Sequence, residues 1–332
     1  MNDSPLQIAP IPRITIHAFC ESQNLASIVA DAQQDRRMAK AHLKTQMGGL
    51  AGALEAFQEA PTPNLIIIET RTPREELIAG LEQLSQDCDL GTKVVVIGHV
   101  NDILLYRELI ACGVSDYLVA PLSVLNFIQA ISDLYGSEQG AALGRVIAVI
   151  GAKGGSGSST VAHNLAWTIA NAHDISTILV DLDLSSGTAG PHFNQDPPPG
   201  GAAAVYSPPR LHNKFGGRLL CRAGDGDKLN LLAAPATLER VYDLDEGAFE
   251  PLIDILRATT PVTVLDMPKG WTGWTRRTLI GADDVIVVAA PDLASLRNAK
   301  NILDQMRAAS PNDRPARLVL NGVGVPKRPE IP

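Results

Sequence analysis

The residues best equipped for chemistry lie in Gly151–Thr160, Gly-Ala-Lys-Gly-Gly-Ser-Gly-Ser-Ser-Thr. Its glycines let a backbone come close to a ligand, its hydroxyls can accept or donate, and Lys153 carries a charge. Two further stretches end in carboxylates: Thr177–Val180 runs into Asp181-Leu-Asp183, and Val262–Leu265 runs into Asp266-Met-Pro268. Oxygen ligands of this kind suit a hard divalent cation, and a glycine turn opening a helix suits a phosphate. The bland alternatives are a surface linker for the glycines and solvated turn aspartates for the pair.

The neighbouring elements favour the chemical reading. Val146–Ile150 is an unbroken apolar run, as in a strand buried on both faces of a parallel sheet. Val161, Leu165 and Ile169 recur every four residues and predict a helix from about Ser159. Strand, glycine turn and helix together aim several backbone N–H groups at one point. A carboxylate at the C-terminal end of a strand in an open α/β sheet faces the same crevice.

A chain of 332 residues has room for two domains. Residues 1–140 hold 9 Lys/Arg against 17 Asp/Glu, and residues 141–332 hold 19 against 19. The net charge of −8 therefore belongs to the N-terminal part, and neither part has the basic excess that binding to a phosphate backbone needs. No direct nucleic-acid binding is expected. Cys20, Cys88, Cys112 and Cys221 are scattered and predict reduced thiols without a metal site. No run of 18 apolar residues and no signal-peptide pattern is present, which predicts a cytosolic protein.

In order, residues 1–12 read as a flexible lead-in and 13–135 as a first α/β domain. Its strands are expected at Arg13–Phe19, Asn64–Glu69, Lys93–Ile97 and Tyr117–Val119. Helical patterns fall between them, near Leu25–Ala32, Leu50–Phe57, Arg74–Leu84, Asp102–Ala111 and Val124–Tyr135. Residues 136–144 read as a linker and 145–332 as a second α/β domain, so the fold class is α/β with two doubly wound sheets. Gly187–Arg210, rich in proline and glycine, is expected to be a loop beside the site. His192 and His212 stand apart from other ligand-type residues, and no metal or catalytic role is expected of them. Trp271, Trp274, Arg276 and Arg277 read as helix-face packing with solvated arginines in preference to a stacking patch.

Lys153–Thr160 resembles the deviant Walker A motif of the MinD/ParA ATPase family, Lys-Gly-Gly-x-Gly-Lys-Thr-Thr. The resemblance implies ATP and Mg2+ as cofactors and a homodimer closed through the ATP site. Lys153 falls on the signature lysine that reaches the partner's nucleotide, while the P-loop lysine position is Ser158. A charge that normally grips the phosphates is thus missing, which argues for weak or slow hydrolysis. By the same resemblance Gly151, Lys153, Gly154, Gly155, Ser156, Gly157, Ser158, Ser159 and Thr160 bind nucleotide, and Asn321 faces adenine. Ser159, Asp181 and Asp266 would serve Mg2+, Asp183 would position the attacking water, and Lys153 would neutralise charge across the dimer interface. The family pattern continues with a strand and helices beyond Asn321, so this unit is either C-terminally truncated or short.

The N-terminal part, especially Ala111–Pro121, resembles the receiver domain of response regulators, a flavodoxin-like fold. Glu69 stands at the acceptor aspartate position, Cys20-Glu21 supplies one acidic residue, and Ala120-Pro121 replaces Lys-Pro. The resemblance implies a degenerate receiver that docks partners; a cation held by Glu21 and Glu69 is the alternative. Gly187–Gly190, Phe193–Pro198 and Leu231–Arg240 resemble the TadZ/CpaE-type proteins of tight-adherence pilus assembly. That implies a nucleotide-responsive organiser at the cell pole or inner-membrane pilus machinery. Its partners would be a secretion ATPase or a polar landmark, with membrane association only through them. The competing expectation is an active ATPase of the kind that positions division sites or DNA.

Overall fold

The apolar runs become parallel strands of two separate sheets. The computed structural model describes residues 8–58, 60–136, 143–195, 220–223, 227–234, 244–326 and 330. The chain divides into two units, Met1–Ala141 and Ala142–Pro332.

In unit 1, β1 (Thr15–Cys20), β2 (His42–Met47), β3 (Leu65–Glu69), β4 (Lys93–Gly98) and β5 (Asp116–Val119) form a sheet in the order β2-β1-β3-β4-β5. All neighbours are parallel, and the order is that of flavodoxin-like sheets. Successive residues of β3 point to opposite faces, so Leu65 and Ile67 join one core while Ile66 and Ile68 join the other. The first core is closed by α1 (Gln23–Gln33) and α5 (Val124–Gly136), through Leu25, Val29, Phe127 and Ile131. The second is closed by α2 (Gly49–Phe57) and α3 (Arg74–Asp87), through Leu50, Phe57, Leu77 and Leu81. Between β4 and β5 runs α4 (Ile103–Ala111), started by Asp102, whose carboxylate accepts from the Leu104 and Leu105 amides. Strand β2 has no counterpart among the expected strands. Its sequence, His-Leu-Lys-Thr-Gln-Met, buries only Leu43, because it is an edge strand paired on one side with β1.

In unit 2, β6 (Arg145–Gly151), β7 (Thr177–Asp181), β8 (Cys221–Arg222), β9 (Leu229–Leu232), β10 (Val262–Asp266), β11 (Asp284–Ala289) and β12 (Arg317–Leu320) make a seven-stranded sheet. Its order is β12-β11-β6-β10-β7-β9-β8. Every pair is parallel except β8 with β9. Helix α6 (Ser158–Ala172) covers one face, and the residues it buries are Ala162, His163, Ala166 and Ala170. The inward face is thus one of small residues, which lets the helix sit close to Val149, Leu179 and Val264. Val161, Leu165 and Ile169, the residues that announced the helix, are only half-buried. The short α7 (Ala189–His192) lies in the loop after β7. The opposite face of the sheet carries α8 (Glu250–Thr259), α9 (Gly273–Gly281) and α10 (Leu293–Ala309) over Ile150, Val180, Leu265 and Val287. Trp274 packs in this core with its ring 4.7 Å from Phe249, while Trp271 is exposed and Arg277 pairs with Glu250 at 2.7 Å.

Candidate functional site

Strand β6 ends at Gly151, and the chain turns through Gly157 into α6. Gly155 and Gly157 adopt φ of +79° and +85°, a region that glycine enters without strain. A Cβ on Gly151 would lie 2.6 Å from Ser156 Oγ and 2.9 Å from Ser158 Oγ, so both hydroxyls fold into the loop. No side chain caps α6, which leaves the amides of its first turn without a side-chain acceptor. Ser156 Oγ is buried with no partner among the described residues. Such a turn is a ready anion site: oriented N–H groups, a helix N-terminus and an unsatisfied hydroxyl.

Two asparagine amides hold the loop in shape. Asn321, just past β12, donates from Nδ2 to the Ser156 carbonyl at 2.9 Å. Asn298, on α10, donates to the Ala152 carbonyl at 3.0 Å. Asn298 was invisible in the sequence, because nothing in a helical repeat marks a residue facing a loop 146 positions earlier. Lys153 is bound at 2.7 Å by Asp292, the residue that also caps α10 through the Ser295 amide. Hydrogen bonding from Lys153, helped by that from Ser295, holds the Asp292 carboxyl down at about 2.

The carboxylates gather at adjacent strand ends. Asp181 and Asp266 are register partners on β7 and β10, and both are buried. Asp181 Oδ2 accepts from the Ala189 amide at 3.0 Å and Oδ1 from the Asp183 amide at 3.1 Å, so this carboxylate shapes the turn that follows it. Burial, with the Asp266 charge adding to it, pushes the Asp181 carboxyl up to about 6 despite those amides. Gly187 is required here, since a Cβ would lie 2.5 Å from Asp181 Oδ2 and 2.6 Å from the Ala234 Cβ. Asp183 is half-buried and accepts from Ser185 Oγ and the Ser186 amide. Ser159 and Thr160 occupy the first turn of α6.

Asp266 Oδ2 lies 3.2 Å from His163 Nε2, and Oδ1 is buried with no partner among the described residues. His163 Nδ1 in turn lies 2.7 Å from His192 Nδ1. The isolation expected of His192 is thus corrected: α7 brings it to His163, which the helical pattern of α6 had not marked as an inward residue. His212 lies outside the described residues. No group of three or more His, Cys, Asp and Glu residues among those described could hold a metal alone. A pair of carboxylates fits Mg2+ when hydroxyl and phosphate oxygens and water complete the shell. The orphaned Ser156 Oγ and Asp266 Oδ1 are the atoms that such a Mg2+–phosphate group would satisfy.

In unit 1 the chemistry takes another form. Glu69 is 1% exposed. Its Oε2 accepts from the Glu21 and Ser22 amides, both at 2.7 Å, and its Oε1 from Ser22 Oγ at 2.6 Å. Burial alone would raise this carboxyl, but those bonds and His99 leave it below its ordinary range. Glu21 accepts from the Arg71 amide at 3.0 Å. The Glu69 carboxylate therefore fastens the start of α1 to the end of β3.

A mostly parallel sheet in which one strand opens through a glycine loop into a helix, with carboxylates closing the next two strands on one side, defines a P-loop NTPase-type unit. No family model matches the chain. It is 48% identical to a Caulobacter crescentus pilus assembly protein CpaE, over 38% of this chain and 97% of that one, with a TM-score of 0.38. The cell division ATPase MinD of Pyrococcus furiosus is 20% identical over 57% of this chain and 76% of its own, with a TM-score of 0.47. An uncharacterized protein of Mycobacterium tuberculosis is 32% identical over 181 residues, 51% of this chain and 46% of its own. The chain spans about half the length of the curated relatives it matches. On the identity and coverage of the Caulobacter sequence, the chain belongs to the CpaE family of pilus assembly proteins.

Proposed function

We propose that the chain is a nucleotide-responsive, dimeric organiser of tight-adherence pilus assembly that binds ATP with Mg2+ and hydrolyses it slowly. The observation that carries the nucleotide part is the uncapped α6 N-terminus under a glycine loop, flanked by the orphaned Ser156 Oγ and Asp266 Oδ1. When bound, Mg·ATP supplies a phosphate anhydride and a divalent charge on its outer oxygens. Backbone amides of Gly154–Ser159 would cradle the phosphates, with Ser159 and Asp266 on the metal side. Asp181 accepts from the Asp183 amide and so fixes the turn after β7, and Asp183 would orient the attacking water. Asn321 Oδ1 can accept from a base while Nδ2 stays on the loop.

Ser158 supports slow hydrolysis, since the loop itself carries no cation at that position, where phosphoryl transfer builds negative charge. Lys153 gives the dimer its logic. In the single chain it holds Asp292; closing on a partner's nucleotide requires it to exchange that carboxylate for phosphate. Family membership supports the role in pilus assembly, with unit 1 docking the secretion ATPase or a polar landmark. No helix among the described residues is long and apolar enough to cross a membrane, which fits recruitment through such partners. The test is localisation of tagged pilus components in cells lacking this gene. Scattered or missing foci are expected, and foci that form and persist normally would overturn the assignment.

A further inference from the structure

Unit 2 lacks a lysine at position 158, yet a second cation stands over the same loop. Strand β10 is the immediate neighbour of β6, parallel to it, so both end at the same edge of the sheet. The Met267 amide donates to the Val149 carbonyl at 2.9 Å and pins the chain there as it leaves β10. Pro268 follows, and then Lys269, which the backbone carries across the glycine turn. A Cβ built on Gly154 would lie 3.6 Å from both Cδ and Nζ of Lys269, so the lysine stem lies against the loop backbone. Gly154 has no side chain to hold it off.

The charges around the loop make this placement meaningful. Asp181, Asp183 and Asp266 line the strand ends. Lys153 is already paired with Asp292. Lys269 is exposed, and no ion pair or hydrogen bond engages it among the described residues. An ammonium with three donors, lying on a turn whose amides point at an anion site, supplies the charge that the turn itself lacks. An unpaired surface lysine is ordinary; one whose Cδ and Nζ come within 3.6 Å of where a Gly154 Cβ would stand, over a glycine loop with serine at position 158, is not.

We propose that Lys269 is the phosphate-binding cation of this site, delivered from the β10 turn in place of a lysine at 158. The inference rests on the nucleotide reading of unit 2. It makes Lys269 a binding residue of that site and assigns the specificity for polyphosphate to two strand ends instead of one loop.

Equilibrium binding of fluorescent mant-ATP with Mg2+ to the full chain tests it, read as Kd for the wild type, Lys269→Ala, Lys269→Arg, Ser158→Lys and the Lys269→Ala/Ser158→Lys double variant. Loss of a charged hydrogen bond to phosphate should weaken Lys269→Ala by about tenfold or more, with Lys269→Arg recovering most of it. If one cation serves the phosphates, Ser158→Lys restores binding to Lys269→Ala, and removing Lys269 in that background costs little. Far-UV circular dichroism of each variant separates these effects from misfolding. Unchanged affinity in Lys269→Ala, or equal losses in both backgrounds, overturns the proposal while leaving the nucleotide site standing. A wild type that binds no mant-ATP overturns the nucleotide reading and this inference with it.

Discussion

Replacing Glu69 by Gln tests whether unit 1 uses this buried carboxylate as a fastener. The side chain is buried and accepts three short bonds, from the Glu21 amide, the Ser22 amide and the Ser22 hydroxyl. Gln keeps the shape and one acceptor oxygen but removes the charge that strengthens all three bonds and faces the α1 N-terminus. Charged hydrogen bonds contribute about 1.5–3 kcal/mol each, and the neutral amide retains roughly half of that while avoiding the cost of a buried charge. A net loss of about 2–3 kcal/mol is expected. With a urea slope of about 1–3 kcal/mol/M, the midpoint of unit 1 should fall by roughly 1–2 M. All three tryptophans, Trp167, Trp271 and Trp274, lie in unit 2. The drop should therefore show in far-UV circular dichroism and in hydrogen exchange over residues 21–26, with the tryptophan transition unmoved. Because the folded Glu69 carboxyl titrates below its unfolded value, its contribution is complete above the ordinary carboxylate range and is lost as pH falls through the folded value. The gap between wild type and Gln should close with acidification. A midpoint shift below about 0.3 M in unit 1, a deficit of roughly half a kcal/mol on the same slope, would refute the argument.

Two further outcomes follow from unit 2. Asp181 titrates at about 6 in the fold, above its ordinary value of 3.8, so it holds its proton more tightly folded than unfolded. Its protonation supports the fold below about pH 4, and that support is lost as pH rises through about 6, a difference of about 3 kcal/mol. Asp181→Asn should thus gain on the wild type across that window in tryptophan-monitored urea unfolding, and parallel pH curves would contradict it. Gly187→Ala should destabilise the turn after β7 by about 1–3 kcal/mol, because the new methyl meets the Asp181 carboxylate and Ala234. An unchanged unfolding midpoint would show that the turn relaxes freely.

What the sequence disclosed was local. The glycine turn, its strand and the two strand-closing aspartates are contiguous patterns, and the parallel strands are unbroken apolar runs, so the fold class and the loop could be read directly. Edge and cross-chain features could not. β2 has neither alternation nor an apolar run, because its stability comes from pairing with β1. The His163–His192 contact joins a helix face to the short helix α7, 29 residues on, and small alanines around His163 hid the buried side of α6. Glu69 could be seen as a departure from an aspartate, but its use required the geometry: its carboxylate reaches the Glu21 and Ser22 amides just before α1. Lys269 carries no local signal; its meaning arises only from β10 lying next to β6.

The central claim is that nucleotide closes a dimer through the loop around Lys153. Molar mass by light scattering, with and without ATP and Mg2+, measures it on the wild type and on Lys153→Ala. A mass that doubles with Mg·ATP in the wild type and stays single in Lys153→Ala is the predicted result. A mass that ignores nucleotide, or a Lys153→Ala chain that dimerises as the wild type does, would contradict it.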